Sequence, residues 1–212
     1  MEPGVTAARL DQFTRRLAMR LPRRTRQDVG MTEWADRVTA LARRSSPVNG
    51  IRIIGIDGPS GSGKSTLARA VAAQLDCPLI EIDDFVSWSD LAGWWPRFDE
   101  QVLSPLLDGR DAHYQRRDWT GDEFGASLGE WRTVPWHPLV VIEGVTATRR
   151  ETVGRLSLAV WVEAPDELRL GRGVERDGED HRQLWVDWMR REGEFFAADR
   201  TRARADLVVP GA

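Results

Sequence analysis

The sequence predicts an α/β fold: a mostly parallel, five-stranded sheet with helices on both faces. Three observations carry this expectation. Short apolar runs rich in β-branched residues recur at 51–56, 79–82, 139–142, 158–162 and 207–209, and such runs suit strands buried on both faces. Helical segments separate them at 64–75, 97–108, 165–177 and 181–198, and strand alternating with helix is the pattern of a parallel sheet. At 212 residues the chain has room for one well-buried domain rather than two.

Residues 1–30 are arginine-rich, end in "LPRRTRQDVG" and show short helical spacing at Leu10, Phe13, Leu17 and Leu21. They read as a basic N-terminal arm, ordered or mobile, ahead of a domain over 31–212. Trp34, Val38 and Leu41 recur at helical spacing behind Thr32 and Glu33, so an amphipathic helix is expected over 32–44, ended by "SSPVNG". The first strand, "IRIIGID", runs into a glycine-rich loop, and "LARAVAAQL" continues it as a helix. The second strand, "LIEI", leads to Asp83 and Asp84. Segment 86–137 differs in character: Trp88, Trp94, Trp95, Trp119, Trp131 and Trp136 lie there among glycines, prolines and charges. It reads as an insert, either a packed subdomain or an aromatic wall for a planar ligand. "LVVI" then ends at Glu143, and "LAVWV" precedes a helix opened by "PDE".

The net charge of −3 argues against a broad basic face, so no nucleic-acid partner is expected. One cysteine, Cys77, makes neither an internal disulfide nor a zinc site by itself and reads as a small packing residue in a reducing compartment. No apolar run approaches the ~20 residues of a spanning helix, so no membrane partner is expected and the cytoplasm is the expected location. The oligomeric state stays open, a homo-oligomer included.

The loop, Gly58-Pro59-Ser60-Gly61-Ser62-Gly63-Lys64-Ser65-Thr66, has the full phosphate-loop pattern with a strand before it and a helix after it. Glycines permit the backbone angles that turn successive N–H groups inward, and the helix adds its positive end. Lys64 reaches the terminal phosphates and Ser65 offers a hydroxyl to Mg²⁺. Of the 30 lysine and arginine residues only Lys64 is lysine, which marks a position needing a compact point charge rather than a planar guanidinium. ATP and Mg²⁺ are the expected cofactors, on a three-layer P-loop NTPase fold. With that lysine already used, the Asn-Lys-x-Asp motif of guanine-reading switches is impossible here. Motor and transporter ATPases carry an acidic pair where this chain has Glu143 followed by Gly144; one carboxylate suits Mg²⁺ and leaves water activation unassigned.

Ligands of such sheets bind beyond the carboxyl ends of the strands, where Asp83 is expected as a base for an acceptor hydroxyl, or as a shared base and metal contact. Arg169, Arg172 and Arg176 share one helix face at i, i+3 and i+7, which suits either a lid over about 166–182 or a solvated arginine face.

The motifs "GIDGPSGSGKSTLA", "IDDF", "VVIEGV", "RLGRGVERD" and "ADLVVPGA" occur in the order of the uridine kinase and phosphoribulokinase group, and residues 50–212 resemble uridine-cytidine kinase-like proteins. The resemblance implies that Asp83 is the catalytic base, that Glu143 assists Mg²⁺, and that Arg176 contacts the ATP phosphates beside Arg172. Asp84, Tyr114, Trp119 and Arg169 become the acceptor-side candidates. Departures bear on the acceptor: Val86 replaces the family's tyrosine, Trp119 its histidine, Gly173 a lid arginine and Trp185 a base-reading glutamine, and "GWWPRFDE" replaces an Asn-Phe-Asp-His-Pro segment. The leading expectation is an ATP-dependent kinase acting on a hydroxyl, a nucleoside first. The alternatives are a kinase for a sugar, a pantothenate-like compound or an antibiotic, and a nucleotide-binding regulator.

Overall fold

The computed structural model describes residues 26–211; most of the expected N-terminal arm lies outside the described residues. Helix α1 (Arg26–Arg44) begins ahead of the expected 32 and takes in 26–30. Strand β1 (Arg52–Asp57), helix α2 (Lys64–Leu75) and strand β2 (Leu79–Glu81) follow. A helix, α3, spans 95–107, π-helical over Asp99–Leu103 and α-helical at both ends. Pro105 sits just past the π turn; it has no N–H to give and its ring would crowd the carbonyl of Gln101, a conflict the wider turn relieves. Next come β3 (Ala112–Arg117), β4 (Leu128–Val134), β5 (Leu139–Glu143), β6 (Leu158–Glu163), α4 (Asp166–Asp177), α5 (Arg182–Asp199) and β7 (Leu207–Pro210).

Five strands form one parallel sheet in the order β2-β5-β1-β6-β7, as the apolar runs predict. Alternate residues face opposite cores, because side chains along a strand point to the two faces in turn. Ile53, Ile80, Val140 and Ile142 meet Phe98, Val102, Leu103 and Leu106 of α3 on one face. Ile54, Ile56, Val141 and Val160 meet Leu67 and Val71 of α2 and Ala35 and Val38 of α1 on the other. Each fully buried aliphatic side chain of this kind is worth about 1.5–3 kcal/mol.

The antiparallel hairpin β3–β4 was not expected as strands. Its sequences, "AHYQRR" and "LGEWRTV", carry too few apolar alternations to read as β. It is held by Ala112, Tyr114 and Val134, which are buried in the core, and by the buried Asp84 carboxylate, which accepts from Arg116 Nε at 2.7 Å and Arg132 Nη1 at 3.4 Å. The tryptophans of the segment divide between both expected roles. Trp94 is buried in the core, Trp88 and Trp119 line a cavity, and Trp131 stacks on His113 at the exposed face.

Gly173 and Trp185, two departures from the uridine kinase pattern, are one packing unit. A Cβ on Gly173 would lie 2.4 Å from Trp185 Cδ2 and Cε2, so the indole occupies the space that any larger residue would need. Gly173→Ala is expected to cost about 1–3 kcal/mol through overpacking, and adding Trp185→Leu to recover part of it. Denaturant unfolding checks this; equal stability of Gly173→Ala and wild type would contradict the packing.

Candidate active site

The fold places the phosphate loop, Glu143 and Asp83 in a row. β1 ends at Asp57 and the loop turns directly into α2; β5, beside β1, ends at Glu143; β2, beside β5, ends just before Asp83. The loop takes φ of +146° at Gly58, +77° at Gly61 and +95° at Gly63. Gly58 is required twice over, since a Cβ there would also sit 2.1 Å from the Val162 carbonyl oxygen of β6. Helix α2 has no side-chain N-cap and no acid in its first turn, so its free amides favour an external anion. Lys64 is 8% exposed, and among the described residues its ammonium makes no hydrogen bond or ion pair.

Glu143 is buried, and among the described residues its Oε2 has no hydrogen-bond partner. Burial pushes its carboxyl up to about 7, against the pull of the nearby Lys64 ammonium and with the Asp83 charge adding to the rise. Two acids side by side, one with an unpartnered oxygen, are a donor set that suits a divalent cation. Among the described residues no cluster of three acidic, histidine or cysteine ligands occurs. Mg²⁺ takes one or two carboxylates and fills its other positions with phosphate oxygens and water.

Asp57 ties the two halves together. Its fully buried carboxylate accepts the N–H of Gly58 at 2.6 Å, of Thr146 at 2.9 Å and of Thr148 at 2.7 Å, with the Thr148 hydroxyl at 3.0 Å. One side chain thus fixes both the start of the phosphate loop and the turn after Glu143. Thr146 is held at φ +64°, a conformation that costs a β-branched residue about 1–3 kcal/mol. Sequence reading passed over Asp57, although an acid on the last buried position of a strand before a glycine loop is a detectable signal.

A cavity of about 830 Å³ opens beside the loop. Ser60, Gly61, Gly63, Lys64, Ser65 and Thr66 line it, whereas Gly58, Pro59 and Ser62 do not. Across from them stand Asp83, Asp84, Trp119, Arg172 and Arg176. Asp83 is exposed, and its backbone carbonyl accepts the Trp119 indole N–H at 2.8 Å. Arg176 pairs with Asp177 at 2.7 Å. Arg172 donates to the Gly61 carbonyl at 2.9 Å.

Two acceptor-side expectations are corrected by placement. Tyr114 is 0% exposed and does not line the cavity; its ring packs on Phe85 and its hydroxyl donates to Asp84 at 3.0 Å. Arg169 is also buried away from the cavity, donating to the Ser60 carbonyl, to Asp166 and to Glu192. Asp84 does line the cavity, but Arg116, Arg132 and Tyr114 already engage its carboxylate. The cavity also holds residues that no motif announced. Thr120, Glu123 and His181 line it; behind them the buried Arg117, itself not in the lining, lies 3.8 Å over the Trp119 ring and donates to the carbonyls of Asp118, Asp122, Glu123 and Gly125, folding 118–125 around one guanidinium. Glu123 then meets His181, just past α4, at 2.9 Å.

The parallel sheet order and the glycine loop define a P-loop NTPase, and this class is matched by known proteins. The AAA domain family matches residues 54–197, and the chain belongs to it. Its relatives include the uridine kinase of Borrelia duttonii, 26% identical over 191 residues that cover 76% of this chain and 86% of that protein. A bifunctional pantoate ligase/cytidylate kinase of Synechococcus is 32% identical over 126 residues, 53% of this chain and 23% of that protein. Among solved structures, one described as a "Possible Uridine Kinase" from Bacillus stearothermophilus superposes with a TM-score of 0.61 at 20% identity, covering 84% of this chain and 99% of that one. A D-glycerate 3-kinase from Cryptococcus neoformans superposes with a TM-score of 0.50 at 13% identity, covering 84% and 94%. The resemblance to uridine kinase-like P-loop kinases read from the motifs is borne out, and these relatives support an ATP-dependent kinase. Among the described residues no helix is long and apolar enough to cross a membrane.

Asp57→Asn is expected to lower stability by about 1–3 kcal/mol, because an amide nitrogen would face N–H donors. Burial pushes the Asp57 carboxyl up to about 6, with its four donors pulling it back, from about 3.9 in an unfolded chain. The native state therefore holds a proton that the unfolded state has released in that window. Wild type loses stability relative to Asp57→Asn as pH rises from about 4 to about 6 and runs parallel above it. Unfolding measured across this range checks the sign; an opposite slope would contradict it.

Proposed function

We propose that the protein transfers the γ-phosphoryl group of Mg-ATP to a hydroxyl of a small molecule. The observation that carries this reading is the single row of groups at the carboxyl end of the sheet. Lys64, without a hydrogen-bond partner among the described residues, stands at one end; the buried, unpartnered Glu143 oxygen lies between; and the exposed carboxylate of Asp83 faces the cavity.

In this reading the loop amides and Lys64 hold the β- and γ-phosphates, and Ser65, Asp83 and Glu143 are the residues that would hold Mg²⁺. The cation, when bound, neutralises charge developing on the phosphate oxygens. Asp83 accepts or orients the proton of the acceptor hydroxyl, because its exposed carboxylate lines the cavity beside the phosphate loop. Arg172 and Arg176 line the same cavity from α4 and supply positive charge as negative charge spreads over the equatorial oxygens. Glu143 is followed by Gly144, so no second carboxylate stands there to activate water, which favours an alcohol as acceptor.

A nucleoside is the first acceptor class, following the uridine kinase relatives. A specific observation favours a second reading, a non-nucleoside alcohol. The Trp119 N–H is engaged by Asp83, Tyr114 is buried, and the Asp84 carboxylate is taken up by two arginines and Tyr114. Val86 and the indole faces of Trp88 and Trp119 line the cavity beside Thr120, Glu123 and His181, and the indoles can stack on a ring without reading its edge. The regulator reading has no observation in its favour, since the arm it relies on lies mostly outside the described residues.

ADP formation from Mg-ATP, measured against a panel of nucleosides, sugars and vitamin precursors, tests the proposal. Acceptor-dependent release is expected, and none across the panel would contradict it. Lys64→Ala is expected to lower turnover by about 100-fold or more with the fold intact. Asp83→Asn is expected to retain ATP binding and lose transfer; equal loss of both would leave Asp83 a metal contact only.

A further inference from the structure

The phosphate loop is gripped from behind by a buried charge pair that no motif reading assigned. Glu192, on α5, is 1% exposed, and Arg169, on α4, is 5% exposed; they meet at 3.2 Å. The Glu192 carboxylate accepts the backbone N–H of Ser60 at 2.9 Å, the Ser60 hydroxyl, and the Trp188 indole N–H at 2.7 Å. Arg169 donates to the Ser60 carbonyl at 3.1 Å, and Arg172 to the Gly61 carbonyl at 2.9 Å. Contact between loop and lid helix is close enough that a Cβ on Gly61 would lie 2.8 Å from the Arg169 carbonyl oxygen.

These bonds have a directional consequence. No peptide bond of the described residues is cis, and in a trans peptide the C=O and the following N–H point in opposite directions. With the Ser60 carbonyl drawn toward Arg169, the Gly61 N–H points the other way. The Gly61 carbonyl is drawn toward Arg172, and the Ser62 N–H that follows donates to the Pro59 carbonyl at 3.2 Å, closing a turn inside the loop. Arg169 thus takes hold of the outer side of the Ser60–Gly61 peptide plane and turns the Gly61 amide toward the inside of the loop, where an anion would sit, while Arg172 steadies the next plane. Glu192 fixes the plane before them and keeps Arg169 in place. Burying such a pair is costly and is weak evidence for stability in itself, so its location on the loop calls for a role in the loop.

We propose that Glu192 and Arg169 are positioning residues of the nucleotide site: together they preorganise the loop amides for the phosphates and lock the base of the lid helix to the loop. Binding then avoids the cost of ordering the loop, and the gain appears as affinity. The inference rests on reading the loop as a nucleotide site, and the test separates the two.

Mg-ADP binding is measured by calorimetry and thermal unfolding recorded on the same samples. The variant Glu192→Met/Arg169→Met replaces the pair by apolar side chains, a change that buried ion pairs usually tolerate. It is expected to unfold close to wild type and to bind Mg-ADP about tenfold or more weakly. Glu192→Gln keeps an acceptor for the Ser60 N–H while losing the charge facing Arg169, and is expected to fall between the two. Asp166→Ala removes the 84%-exposed partner of Arg169 and is expected to leave affinity unchanged, because that pair is solvent-screened. A folded double variant binding within about twofold of wild type overturns the proposal. If the double variant does not fold, unchanged affinity in Glu192→Gln overturns it instead. Wild type failing to bind Mg-ADP would sink the nucleotide-site reading itself, a different outcome.

Discussion

Everything at this site depends on a backbone turn held in a conformation that backbone alone does not maintain. The chain between β1 and α2 must present its N–H groups to one point, and it does so through glycines in left-handed or extended mirror conformations. Such a loop loses much conformational entropy on ordering. Two buried carboxylates supply the constraint. Asp57 holds the start of the loop to the turn after Glu143, and Glu192 holds its middle to α4 and α5. Each acid lies on a regular element, so the rigidity of the sheet and helices passes to the loop through hydrogen bonds.

The same constraint explains what the arginines of α4 do. Arg169, Arg172 and Arg176 share one helix face, yet seven residues of helix rise about 10 Å, so they act at different depths. Arg169 lies at the base, under the loop. Arg172 reaches a loop carbonyl, and Arg176 stands at the cavity wall paired with Asp177. The acceptor side is built in a similar manner from internal pairing. Asp84 anchors the hairpin, Arg117 folds 118–125, and Trp119 rests on the Asp83 backbone. The indole faces of Trp88 and Trp119 thereby line the cavity.

Legibility in the sequence followed the kind of force involved. The five sheet strands were readable because burial on both faces demands uninterrupted apolar runs. The phosphate loop was readable because its chemistry demands particular residues at fixed spacing, and Asp83 and Glu143 because they follow the last apolar residue of neighbouring strands. The β3–β4 hairpin was not readable, since only Ala112, Tyr114 and Val134 of it enter the core and its arginine–carboxylate pairs leave no periodic trace. Tyr114 was read as an acceptor contact from the family resemblance and Arg169 from its place on the arginine face of α4. Type gives capability and not direction, and partners distant in sequence, Asp84 and Glu192, turn both side chains inward. The exchange of a lid arginine for Gly173 was visible, but its reason, the Trp185 indole filling that space, was a contact between two helices.

The central claim is that the acids beside the loop hold a cation for a nucleotide gripped by Lys64. Calorimetric titration of ATP with and without Mg²⁺, into wild type and Glu143→Gln, tests it most directly. The account predicts that Mg²⁺ strengthens binding to wild type and that the substitution abolishes most of this gain while Mg²⁺-free binding persists. Equal affinity with and without Mg²⁺ in wild type, or a full gain retained in Glu143→Gln, would contradict it.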